Sequence, residues 1–188
     1  MMPAIPLHVL ITPFSEKGEA EPASWSCSTV VDAVNAVNSI WKKAALQFAV
    51  KDCTVDTPID LPKGSRNSDQ RVLDVLSFRR PATGLVTVFL ISAQTNLSAG
   101  GSSYLNSDPE ASCFVQWYGK TEANGRALAH ELGHLLGLDH VKVDYSNERR
   151  AAKQIGNLMV EGLTTGTDLA PDQIQSAKAS KLAKKFGA

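Results

Sequence analysis

The chain has 188 residues, 43% apolar and 20% charged, with 19 basic and 19 acidic side chains. That length suits a single hydrophobic core, and a formal net charge of zero provides no electrostatic draw toward nucleic acid or an anionic membrane. No apolar run approaches the length of a membrane-spanning helix, so residues 1–188 are read as one monomeric domain with neither a nucleic-acid nor a membrane partner.

Residues 7–12 form a short apolar run closed by Pro13 and predict a first strand. Residues 14–23, rich in Glu, Lys, Gly and Pro, predict a loop. From Ser24 the period changes. Val30, Val31, Val34, Val37, Ile40, Trp41, Ala44 and Ala45 recur at steps of three and four, the stripe of an amphipathic helix that ends near Ala45. A second strand is expected within residues 46–55, where Phe48 and Val50 alternate with polar neighbours. Residues 57–70 predict a long surface loop, and residues 72–78 a short strand or a turn of helix.

Residues 84–91 are nearly all apolar and predict a central strand buried on both faces. Residues 98–104, with Gly100-Gly101-Ser102-Ser103, fit an edge strand, and residues 112–118 a further strand. A helix capped by Thr121 or Asn124 runs through Leu136 and is ended by Gly137. Residues 141–157 are polar, with a short helix over Glu148–Ile155. A last helix starts at Pro171, favoured at the first helical position, and runs to Lys185. Two basic clusters, Arg149 with Arg150 and Lys153, and Lys181 with Lys184 and Lys185, read as solvated helix faces. Cys27, Cys53 and Cys113 lack C-x-x-C spacing, and their odd number excludes a fully paired intramolecular framework. One bridge with a free thiol and three reduced buried cysteines both remain open.

Residues 130 to 140 read H-E-L-G-H-L-L-G-L-D-H. On a helix, His130 and His134 share a face with Cβ atoms roughly 5–6 Å apart, a spacing that lets two imidazoles grip one metal ion. Glu131 is rotated by about 100° from His130, beside the metal rather than on it, where it can act as a general base. Gly137 accepts a positive φ and can turn the chain sharply, which brings His140 back as a third ligand. Three protein ligands with one open position is the catalytic type of zinc site, as opposed to the closed structural type. The five identities H-E-x-x-H-x-x-G-x-x-H have a chance frequency on the order of 10⁻⁸ per window. The chain has four histidines and three lie in this motif; the fourth, His8, reads as a satisfied strand histidine.

The motif from His130 to His140 resembles that of the metzincin zinc peptidases. Those enzymes also carry a methionine-bearing turn beneath the metal, and Gly156-Asn157-Leu158-Met159 resembles that Met-turn, with Met159 its methionine. The order of elements is similar over nearly the whole chain. The resemblance implies an α+β fold: a twisted mixed sheet of about five strands, a long N-terminal helix, an active-site helix and a C-terminal helix. It implies Zn²⁺ held by His130, His134 and His140, and hydrolysis of peptide bonds in protein or peptide substrates by a water that Glu131 activates. The substrate would lie along the strand within residues 99–105, and residues 160–168 would wall the pocket for the residue after the cut. Val141 and Glu161 do not match the better-known subfamilies, so the subfamily stays unassigned. Other readings are a zinc-binding module without turnover and a zinc hydrolase of a non-peptide bond. The first residues have no basic segment followed by a long apolar one, so no signal peptide is read; a secreted or exported protein is expected, by a leader already removed or by another route.

Overall fold

The computed structural model describes residues 3–16, 19–20, 24–60, 72, 74–76, 78–80, 84–92, 101–103, 111–161 and 166–188. The expected first strand, β1 (Ile5–Thr12), is buried along its whole length. Parallel strands need a long crossover, and α1 (Cys27–Trp41) supplies it, leading to β4 (Phe48–Val55) alongside β1. The apolar stripe of α1 decides which face is covered: Val30, Val34, Val37, Ile40 and Trp41 are all buried. Its start is held by a capping box, in which the Ser26 side chain accepts from the Thr29 N–H and Thr29 Oγ1 accepts from the Ser26 N–H. A 3₁₀ turn, Lys42–Ala44, and Ala45 at φ 53° end the segment where the periodicity runs out.

The described part of residues 14–23 departs from the expected loop. Short strands β2 (Phe14–Glu16) and β3 (Glu19–Ala20) pair antiparallel, and β2 runs parallel to β5 (Ile59–Asp60) in a small second sheet. The parallel partner of β2 lies 45 residues away, so local composition carries no sign of it. Most of the loop expected over residues 57–70 lies outside the described residues. Of residues 72–78, the described part is helical at 72 and 74–76.

In the main sheet the strand order is β4-β1-β6-β8-β7, with β6 (Val86–Ile91) central, β8 (Ser112–Gln116) beside it and β7 (Gly101–Ser103) at the edge. All pairs are parallel except β7 with β8, so the sheet is mixed. Every residue of β6 is buried. Val86, Val88 and Leu90 face the helices, while Phe89 and Ile91 face a second cluster with Leu10, Phe14, Ile59, Val72, Leu76 and Phe114. The expected α+β architecture stands. The expected edge strand is described only at residues 101–103; the rest of 98–104 lies outside.

Against the first face, α1 and α2 (Thr121–Leu135) cross at close range, because Gly125 has no side chain where it meets Ala33 and Ala36. Trp41, fully buried, also donates its Nε1–H to the Ala129 carbonyl at 3.3 Å. Neither Thr121 nor Asn124 caps α2: the residue at that position is Lys120, without a side-chain bond. Asn124 is buried and instead accepts from the Tyr118 N–H at 2.8 Å, tying the helix start to the end of β8. The last helix is two helices, α4 (Pro171–Ala179) and α5 (Lys181–Phe186), after α3 (Glu148–Ile155). Ser180 breaks it at ψ 153° and caps α5 by accepting from the Ala183 N–H. Both basic clusters are exposed as expected, and His8 is buried against Asp52 at 3.1 Å.

Of the two cysteine arrangements, the structure has the bridge with a free thiol: Cys27 and Cys53 join the first turn of α1 to β4, and Cys113 is free and buried. A loop of 26 residues is closed by that bond. Replacing both cysteines by serine is expected to lower unfolding free energy by about 3 kcal/mol, read by denaturant unfolding, with the circular dichroism spectrum of the native state unchanged.

A second test concerns the contact of α2 with the turn at 156–159. A Cβ on Gly133 would lie 2.5 Å from Met159 Sδ and 3.4 Å from Trp41 Cζ2, and Met159 is wholly buried. Gly133→Ala therefore overfills the core and should cost about 1–3 kcal/mol in chelator-treated protein. Combined with Met159→Ala, which vacates the same space, the loss should be clearly less than the sum of the two single losses; additive losses would mean the two residues do not compete for that volume.

Candidate metal centre

Helix α2 carries the first part of the site, and its end is built by backbone geometry. The chain leaves the helix in a Schellman arrangement: Leu138 N–H reaches the Gly133 carbonyl at 3.0 Å, Gly137 N–H reaches that of His134 at 2.9 Å, and Gly137 has φ +85°. A side chain at Gly137 would be strained there. This reversal aims the Leu138 carbonyl back at the helix, where it accepts from His134 Nδ1 at 2.7 Å. It also swings His140 over the helical face that holds His130 and His134.

The three rings converge through their Nε2 atoms: His130 to His134 at 3.1 Å, His134 to His140 at 3.0 Å and His130 to His140 at 3.2 Å. They are the one group of three or more His, Cys, Asp or Glu side chains with such convergent donor atoms among the described residues. His134 is buried, His130 half-buried and His140 exposed.

Tautomers follow from the partners. His130 Nδ1 lies 2.8 Å from the Leu158 carbonyl and His134 Nδ1 2.7 Å from that of Leu138. A carbonyl can only accept, so each Nδ1 carries the proton and each Nε2 presents a bare lone pair. Two lone pairs facing at 3.1 Å repel unless a cation lies between them. Burial, above all, lowers the His130 pKa, with the His140 charge adding to it against the Leu158 bond. Burial first and the His130 charge second lower that of His134 to about 4, against the Leu138 bond and Asp139. Both rings are neutral near pH 7, the state in which imidazole binds metal. A tetrahedral ion with zinc–nitrogen bonds of about 2.0–2.1 Å needs nitrogen pairs about 3.3 Å apart. The observed triangle is within a few tenths of an ångström of that, so the residues present fit such an ion.

Glu131, next along α2, is buried with 6% of its surface exposed. Burial first and the Glu131 charge second raise the pKa of the free Cys113 thiol on β8. Met159 lies in the turn below, its side chain filling the notch left by Gly133. The sequence reading missed what holds that turn. Leu158 N–H reaches the Asp168 carbonyl at 2.7 Å, Asp168 N–H that of Gly156 at 2.9 Å, and Val141 N–H that of Met159 at 2.7 Å. Of the residues expected to wall a substrate pocket, 162–165 lie outside the described residues, as do 99, 100, 104 and 105 of the expected substrate strand.

The structure thus brings the Nε2 atoms of His130, His134 and His140 together, and packs Met159 at Gly133 of α2. Comparisons agree with this picture. Residues 27–141, more than half of the chain, match the family described as Metallo-peptidase family M12B Reprolysin-like. No curated protein sequence matches the chain. The fold is similar to the crystal structure of metalloproteinase-II from Bacteroides fragilis, with a TM-score of 0.54 at 15% identity, over 95% of this chain and 53% of that one. This chain therefore spans about half the length of that protein, and the likeness concerns the fold alone. The matched window opens on the first residue of α1 and closes one residue past His140, and on that match the chain belongs to the reprolysin-like M12B metallopeptidases.

Proposed function

We propose that this chain is a zinc-dependent endopeptidase that cleaves protein or peptide substrates, with Glu131 as its general base. The observation that carries the reading is the triangle of Nε2 atoms, 3.0–3.2 Å on a side and bare at His130 and His134, with a buried carboxylate one residue along the same helix. His130, His134 and His140 would hold the ion. Three imidazoles without a thiolate suit zinc, and three protein ligands leave a position open for chemistry. Bound there, zinc supplies Lewis acidity, acidifying water and polarising a carbonyl.

The remaining steps belong to the chain. Glu131 Oε takes the proton of the attacking water and delivers it to the leaving amine nitrogen. A peptide would run along the free side of β7 as an added strand, bonded through main-chain groups. All these side chains come from one chain, so the working unit is taken to be a monomer. The Cys27–Cys53 bond fits an oxidising compartment, which supports a secreted or exported protein.

The test combines metal content, turnover and one variant. Wild-type protein should bind one zinc ion and cleave an unfolded protein at internal bonds, and a chelator should abolish cleavage until zinc is restored. Glu131→Gln should keep its zinc while kcat falls by about 10²–10⁴-fold. Zinc bound at full occupancy with equal inertness of wild type and Glu131→Gln would instead identify a binding module. Cleavage of an ester or amide but of no peptide would identify another hydrolase.

A further inference from the structure

Two long-range hydrogen bonds that reach the histidine site from outside α2 and its C-cap come from one turn. The Leu158 carbonyl orients His130, and the Met159 carbonyl takes the N–H of Val141, the residue after His140. These are main-chain acceptors, so their directions depend on the peptide planes of the turn. The Leu158–Met159 peptide is planar and trans, so its C=O and its N–H point in opposite directions. Whatever holds the Met159 N–H therefore also aims the Leu158 carbonyl. The holder is Asn157, whose Oδ1 accepts from the Met159 N–H at 2.8 Å.

Asn157 is oriented in turn by a partner sixteen residues on. Its Nδ2 donates to Gln173 Oε1 at 2.7 Å, and Gln173 Nε2 donates back to Asn157 Oδ1 at 3.3 Å. Gln173 Oε1 also accepts from the Ala170 N–H at 2.9 Å, the start of α4. Both side chains are 91% buried. In such a place an amide rotated by half a turn would set its NH₂ against the Met159 N–H, so the pairing with Gln173 selects the one useful orientation.

We infer that the buried Asn157–Gln173 amide pair positions the histidine site: it fixes the peptide plane that sets the His130 tautomer and anchors the segment carrying His140. Gln173 is thus a positioning residue on a helix that contributes no ligand. The inference rests on the zinc reading given above, and its test separates the two.

The variants are Asn157→Ala, Gln173→Leu, which keeps volume and loses the polar pair, and Gln173→Glu, which keeps the acceptor for Asn157 Nδ2 and the Ala170 N–H. Zinc affinity is read by competition with a chromogenic chelator, and the ring ¹⁵N shifts of His130 are read in chelator-treated protein. Wild-type His130 should show a single Nδ1–H tautomer. Asn157→Ala and Gln173→Leu should mix the two tautomers and weaken zinc binding about 10–100-fold, while Gln173→Glu stays close to wild type. The Cys27→Ser, Cys53→Ser protein controls for stability, since it should be weaker in fold but equal in zinc affinity. Folded Asn157→Ala or Gln173→Leu with wild-type affinity and tautomer would reduce the pair to a cap for α4 and overturn the inference. Should Asn157→Ala not fold, Gln173→Leu decides. A wild-type protein that bound no zinc would strike the metal reading itself, whereas the tautomer measurement stands without metal.

Discussion

Two imidazole lone pairs held 3.1 Å apart, with a third ring nitrogen closing on both, is an arrangement no isolated peptide would keep. Neither His130 nor His134 has a proton to share at Nε2, because each has committed its proton to a carbonyl. The repulsion is offset by the rest of the structure. Large fully buried side chains such as Trp41, Phe48, Phe89 and Phe114 each contribute on the order of 1.5–3 kcal/mol, so a modest local cost is carried without loss of the fold. A cation that binds only the folded chain reverses the sign of that local term, and at a thousandfold excess over its dissociation constant it adds about 4 kcal/mol.

The sheet and helices matter mainly for where they put α2. A central strand buried on both faces leaves one side of the sheet for α1 and α2, and the Gly125 notch lets these helices approach until Ala36 touches the backbone. Trp41 then registers α2 along its axis through the Ala129 carbonyl, one residue before His130. Strand β7 lies at the sheet edge next to α2. That the helix carrying His130 and His134 lies beside the sheet edge is thus a consequence of strand order.

What could be read from residue order was the part set by short-range rules. The stripe of α1, the apolar run of β6 and the spacing of His130, His134, Gly137 and His140 all concern residues within a few turns of one another, where period and backbone freedom decide the outcome. Three kinds of feature were hidden. The strands at 14–20 depend on a partner near residue 59. The break at Ser180 and the start of α2 depend on small differences in capping energy that hydrophobic period does not report. The carbonyls of Leu138 and Leu158 act through main-chain atoms, which every residue possesses, so nothing in the letters at those positions marks them.

That last distinction divides the site into two halves. The local half runs from His130 to Leu138: the helix sets the spacing of two imidazoles, and its own C-cap supplies the carbonyl that orients the second. The other half arrives from the turn at 156–159, which meets α2 at two points. Its Leu158 carbonyl meets the ring of His130, and its Met159 side chain fills the space at Gly133, three residues on and on the same helical face. Two points of contact along one helix fix the turn in both position and slope. Sliding the turn to relieve one contact would break the other. The Val141 to Met159 bond then carries this placement to His140, the one exposed ring of the three, which no burial holds in place. Docking of the turn onto α2 and closure of the donor triangle are therefore one structural event, and an ion seated among the three nitrogens would stabilise both.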